Sequence, residues 1–313
     1  MGMDKKTMND SQKKFSYFGT PTQGKTGGLA YSLSTVLLIL ASFVFLLVLA
    51  LFGLANEGYE EKNWFLYCSY MLPQAVLFAT AVFCLKFSKT PVKEYVRSQK
   101  CKPIYFSIAL LLQIGLWSLS ELNGLFLKLL GKFGYEDSGI LLPSMDGFGF
   151  VGVLIVVAIL PAVMEELVFR GVLLNGLKSF KAVGAVLLCG ALFSLYHRNP
   201  AQTLYQFCCG VAFALVAIRS GSIFPTVLSH FINNAVILIL TKCGVTSYPT
   251  PVFIVVLCVS AVCLAVSLWY LIFKDKGEEQ KTDKTDQKQF FRFAAVGIVI
   301  CAIYWISALI SGL

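Results

Sequence analysis

The sequence predicts an all-α fold, a polytopic bundle of eight or nine transmembrane helices around an intramembrane polar cavity. Three observations predict it. Hydrophobic residues make up 57% of the 313 residues and charged residues only 14%, with a mean hydropathy of +0.74, outside the range of a soluble globular domain. Apolar runs of the length a helix needs to cross roughly 30 Å of hydrocarbon, about 20 residues, recur along the chain. Within about 70 residues of those runs, from Glu165 to Asn234, the chain places two carboxylates, an arginine and both of its histidines.

In chain order, residues 1–28 read as a polar, Lys-rich cytoplasmic tail, followed by a first apolar run of about 25 residues with no small-residue cleavage site after it. That run is read as a retained helix and not a signal peptide. Spans are expected near 30–54, 64–85, 104–127 and 148–169, then near 182–197, 201–218, 222–241 and 252–273, with a ninth at 290–310. The chain divides accordingly into N-terminal membrane helices (29–147), a core carrying the polar residues (148–241) and C-terminal membrane helices (242–313). The segment 274–289, KDKGEEQKTDKTDQKQ, has no apolar residue to bury and reads as a solvated loop.

Lys and Arg collect in cytoplasmic loops of membrane proteins. With a cytoplasmic N-terminus and nine alternating spans, 20 of the 26 fall inside, notably in 86–102 and 274–292, against Lys62, Lys128, Lys132, Arg198 and Lys242 outside. The net charge of +9 therefore reflects topology and contact with anionic membrane lipid, and no nucleic-acid partner is implied. The expected location is a plasma membrane. Ten cysteines lie mostly in apolar runs with no C-x-x-C pair, so they read as packing residues rather than a disulfide framework or zinc ribbon.

The stretch LPAVMEELVFRGVLL, 160–174, places Glu165, Glu166 and Arg170 in a run apolar enough to cross a bilayer. Each such residue near the bilayer centre costs roughly 2.5–3.5 kcal/mol on insertion scales, so a compensating role is expected. Glu166 and Arg170 are four apart with the acid N-terminal, the order that best pairs them on one helix face. Glu165 lies about 100° around the helix, away from the arginine, and is the freer carboxylate. Pro161 leaves the Val157 carbonyl without its helical donor, which predicts a kink or polar opening beside the acid.

The only two histidines, His197 and His230, follow on the next helices, and Phe193/His197 and His230/Asn234 each repeat the four-residue spacing. Three helices can thus aim at one point. At 1.5 Å per residue, Glu165, His197 and His230 stand about 18, 24 and 12 Å from their presumed inner helix ends, a spread that tilt must close. Hydrogen-bonded glue between helices explains a lone His or Asn. It does not explain a Glu pair and both histidines together, because glue needs neither charge nor titratable groups.

Glu165-Glu166-x-x-x-Arg170, Phe193-x-x-x-His197 and His230-x-x-x-Asn234, in that order on successive membrane helices, resemble the three motifs of the CAAX protease and bacteriocin-processing (CPBP, or ABI) family of intramembrane proteases. The resemblance covers about 70 residues. It implies peptide-bond hydrolysis in a membrane cavity, with Glu165 matching the catalytic glutamate and His197 its partner in activating water. His230 and Asn234 match the oxyanion-binding residues, and the Glu166–Arg170 pair would orient Glu165. A membrane-embedded or lipidated protein or peptide is the implied substrate.

Glu165, His197 and His230 also have the composition of a His₂Glu zinc site. The H-E-x-x-H helix of zinc peptidases is absent, and with one carboxylate committed to Arg170 a metal would leave no separate base, so no cofactor is favoured and zinc stands as the alternative. Two other function classes compete. A proton-coupled transporter also uses buried Glu, His and Arg, but the sequence shows no internal repeat and its ionisable residues lie in one half. A non-catalytic scaffold or immunity protein of the same fold would not require intact motifs.

Overall fold

The computed structural model describes residues 22–88, 91–95, 97–137, 139–245, 248–275 and 281–313. Most of the expected tail, residues 1–21, lies outside the described residues, as does part of the 274–289 loop. Among the described residues there is no strand, only an isolated bridge between Ser98 and Ser222. Eight helices among the described residues are long and apolar enough to span a membrane, and the protein is an integral multi-pass membrane protein. In chain order they are α1 (Gln23–Leu51), α2 (Asn63–Ser88), α3 (Ile104–Gly131) and α4 (Gly149–Gly176), then α6 (Pro200–Ser220), α7 (Phe224–Lys242), α8 (Thr250–Lys274) and α9 (Lys284–Ser311). Between α4 and α6 lies α5 (Ala182–Tyr196), whose 15 residues reach only about 22 Å.

Two helices start earlier than hydropathy suggested, for the same physical reason. Thr22 caps α1 by accepting from the Lys25 amide, and the Gly24 amide donates to both carboxylate oxygens of Asp286 in the first turn of α9. Lys25 is buried, its ammonium lying 5.0 Å from the Phe293 ring centroid and 5.8 Å from that of Phe87, within cation–π range. Polar residues that read as a tail thus pack against another helix. Asp283 caps α9 by accepting from the amides of Thr285 and Asp286, so Lys284 to Gln289 are helical instead of belonging to a loop.

Without a hydrophobic drive between lipid-bathed helices, packing and interhelical hydrogen bonds set the arrangement. α1 lies along α9, α3 along α8, and α5 along α6. The last pair closes backbone to backbone: a Cβ on Gly210 would stand 2.8 Å from Cα of Gly190, and one on Gly190 would stand 2.5 Å from a Val211 methyl. The α5–α6 turn is also held by Ser194 donating to the Thr203 carbonyl and by the Trp305 indole donating to the Thr203 hydroxyl. The core under this hairpin includes Tyr31, Leu77, Phe169, Leu173 and Phe193.

Inter-loop hydrogen bonds sort the helix ends onto two faces. On one, Asn175 donates to the Glu94 carbonyl, Ile223 to that of Arg97, and Asp283 to that of Ser179. The loops around 92–103, 175–181, 219–223 and 281–283 therefore share a face, together with the start of α1. These are the Lys- and Arg-rich segments of the sequence. On the other face, Ser144 donates to Asn63, Tyr70 to the Leu141 carbonyl, Lys242 to the Met145 carbonyl and Glu136 to the Gly312 carbonyl.

Candidate active site

α4 is not a uniform α-helix. Its α-helical segment Leu160–Glu166 is flanked by π-helical stretches, Leu154–Ile159 and Leu167–Leu173, a feature frequent at functional sites. Proline explains the first irregularity, since Pro161 has no N–H for the Val157 carbonyl. That carbonyl instead accepts from Nδ2 of Asn234 on α7, at 3.2 Å. The opening expected beside the acid is thus filled by a side chain of the third motif.

The adjacent glutamates have separate surroundings, as their 100° separation predicts. Glu166 is fully buried and holds Arg170, also fully buried, at 2.7 Å. The guanidinium lies 4.2 Å from the Phe193 ring centroid and 5.4 Å from that of Phe213, and donates to the Gly210 carbonyl. The charge is thus matched and stacked on aromatic faces, which offsets part of its cost of burial. The Glu165 side chain retains 13% exposure and lines a cavity of about 870 Å³ shared with His197, His230 and Asn234.

His230 bridges the two carboxylates. Its Nδ1 is 3.0 Å from Glu166 Oε1 and its Nε2 is 3.9 Å from Glu165 Oε2. The spread of depths between Glu165 and His230 computed for upright helices is therefore closed. His197 stands just past the end of α5, as its C-cap, followed by Arg198 in the left-handed region (φ 52°). Its Nδ1 is 2.8 Å from the Phe193 carbonyl. A carbonyl only accepts, so Nδ1 carries a proton and the neutral ring offers Nε2 as an acceptor.

Other residues complete the site. Asn233, next to the third-motif Asn234, accepts at Oδ1 from Gln113 of α3 and from the Tyr205 hydroxyl of α6, both at 2.8 Å, and donates to Asn234 Oδ1 at 3.2 Å. Asn234 then has its oxygen occupied, and its Nδ2 has one hydrogen on Val157 and one left over. Gln113 and Tyr205 carried no motif. The available signal was an amide, Gln113, alone within an apolar run.

Among the described residues, no three His, Cys, Asp or Glu side chains gather closely enough to hold a metal ion. As placed, Glu165, His197 and His230 do not form a preformed zinc site. All described cysteines are free.

Fold and site together define a multi-pass helical membrane protein with an acid–imidazole centre inside the bundle. Residues 147–236, under a third of the chain, match the family model described as Rce1-like, type II CAAX prenyl endopeptidase, so this segment is similar to the CAAX protease and bacteriocin-processing family. The match begins just before α4 and ends within α7, so it takes in every motif residue from Glu165 to Asn234. No curated protein matches the chain, and no solved structure does.

Proposed function

We propose that the protein hydrolyses peptide bonds of membrane-associated or lipidated substrates in this cavity, by a glutamate-dependent, metal-independent route. The observation that carries the reading is the split between the two glutamates: Glu166 is neutralised by Arg170 while Glu165 is left facing the cavity. A carboxylate in such a cavity is placed to take a proton from water and return it to the leaving amine. In this reading His197 Nε2 accepts from the same water. Its Nδ1–H bond to the Phe193 carbonyl supports that role, because it fixes the tautomer and turns the lone pair outward.

The oxyanion would be held by the remaining Nδ2 hydrogen of Asn234 and by His230, donors fixed before the reaction. For His230 Nε2 to donate while Nδ1 donates to Glu166, the ring must carry both protons; that charge then lies between the two carboxylates. The Glu166–Arg170 pair positions His230 from below. Substrate would lie across the cavity with its scissile carbonyl between Glu165 and Asn234.

The test is incubation of the reconstituted protein with a peptide library and mass spectrometry of the products. Products that disappear in Glu165→Ala are expected. Cleavage persisting in that variant removes the glutamate mechanism, and no cleavage by the intact protein favours the scaffold reading.

A further inference from the structure

We propose that the cavity is served from the face opposite the basic loops, so that the substrate is a membrane-associated peptide segment that has already crossed the bilayer. The inference rests on the proteolytic reading for its last step alone; the direction of access is a matter of geometry.

Most of the helical lining lies in the halves further from the basic face, and Glu165 and His230, just on the basic side of the middle of α4 and α7, are its deepest residues. α2 and α4 run from the opposite face toward the basic one, and they contribute Gln74, 11 residues past the start at Asn63, and Pro161 and Glu165 with Val157. α3 and α7 run the other way; α3 contributes residues from its middle outward, Trp117 to Asn123, and α7 contributes residues from His230 out to Thr241 at its far end. α6 and α8 contribute Gln206 and Val256 from their first two turns after the opposite face. The loops of that face add Ile140 and Tyr248, both exposed. No described residue of the basic loops lines the cavity.

Toward the basic face the site is floored by packed side chains. Arg170, Phe169, Phe193, Phe213 and Leu173 are all buried, and Ser229 of α7 is tied to the Ala109 carbonyl of α3. Water and peptide therefore reach Glu165 from one side. The cavity also meets lipid at that depth: Ile237 of α7 and Val256 of α8 line it and are still 48% and 38% exposed. α7 and α8 each pack on α3 instead of along one another. A substrate anchored in the outer leaflet can thus slide in between them, while a segment lying at the basic face meets the closed floor.

The lining chemistry agrees with a peptide main chain as the occupant. Gln74, Asn123, Gln202 and Gln206 offer uncharged donors and acceptors, Glu121 adds a negative charge near the mouth, and no Lys or Arg is among the described lining residues. Apart from His230, which already faces Glu165 and Glu166, nothing there pairs a free carboxylate, so an internal, uncharged or basic segment suits the cavity better than an acidic one. With basic loops cytoplasmic, the open face is the external one.

Cysteine labelling in cells expressing the full chain decides this. Gln206→Cys reports the cavity, native Cys243, exposed at the end of α7, reports the open face, and Lys281→Cys the basic face. A sulfonated, membrane-impermeant maleimide added outside intact cells, with sites read by peptide mass mapping, is expected to label positions 206 and 243 and spare 281. Inverted vesicles should give the reverse. Labelling of 206 only in inverted vesicles overturns the proposal, as does a position 206 that stays unlabelled on both sides while Cys243 reacts fully. Adding Glu165→Gln separates access from chemistry: it leaves the labelling pattern unchanged, whether or not the intact protein cleaves peptides.

Discussion

Asn234 donates from Nδ2 to the Val157 carbonyl at 3.2 Å, the carbonyl that Pro161 leaves without a helical donor. A defect in one membrane helix is thus the anchor for a side chain of another. The anchor fixes the amide plane, and the chain Gln113 and Tyr205 to Asn233 to Asn234 fixes which end is oxygen.

From this arrangement Asn234→Ala is expected to lower the cleavage rate about 10²- to 10³-fold, as loss of one oxyanion donor does elsewhere. Pro161→Ala restores a backbone N–H that competes for the Val157 carbonyl, so it should cost less than Asn234→Ala and leave the protein folded. Steady-state kinetics on both variants checks the order; a Pro161→Ala enzyme slower than Asn234→Ala contradicts it.

Tyr205→Phe removes one of the two donors to Asn233 Oδ1 and leaves Gln113 in place. A modest fall in kcat with little change in KM is expected, and combining it with a Gln113→Leu substitution should lose far more than the two separately, because the second loss frees the amide to flip. Strict additivity in free energy would sink the positioning role.

Glu165→Gln should abolish turnover and leave stability intact, since it keeps shape and removes only the base. Glu166→Gln leaves Arg170 fully buried with no counter-charge, a loss of roughly 3–5 kcal/mol by comparison with other broken buried pairs. Thermal unfolding in detergent should therefore separate the two variants by several degrees, and equal midpoints would refute the division of labour.

If Glu165 and His197 activate one water together, removing either loses nearly the whole contribution. The Glu165→Gln/His197→Ala double variant should then be little slower than the slower single variant. Losses at His230 and Asn234, two donors to one oxyanion, should instead approach additivity, and the two double-mutant cycles measured on one substrate check both statements.

Exhaustive chelation should leave activity unchanged, with no bound metal by elemental analysis. Loss of activity that zinc restores would assign Glu165, His197 and His230 to a metal site and overturn the metal-independent reading.

The order and type of the elements followed from the sequence alone, because the length of an apolar run and the cost of an unpaired charge in lipid are properties of local composition. So did the partition of the glutamates: a four-residue spacing pairs Glu166 with Arg170 whatever surrounds them, and a 100° step turns Glu165 away. The reading placed helix starts too late at α1 and α9, because hydropathy counts Lys25 and Asp286 as polar without knowing that each is satisfied by the other helix. Tertiary structure alone decided that His230 reaches both carboxylates, since contact between α4 and α7 depends on tilt and on a π-helical path that no spacing encodes. It alone supplied Gln113 and Tyr205, which have no motif and act only through the Asn233 amide across two helix interfaces. It alone set where the cavity lies, because a cavity is the space helices fail to fill together, a property of their packing and of no single segment.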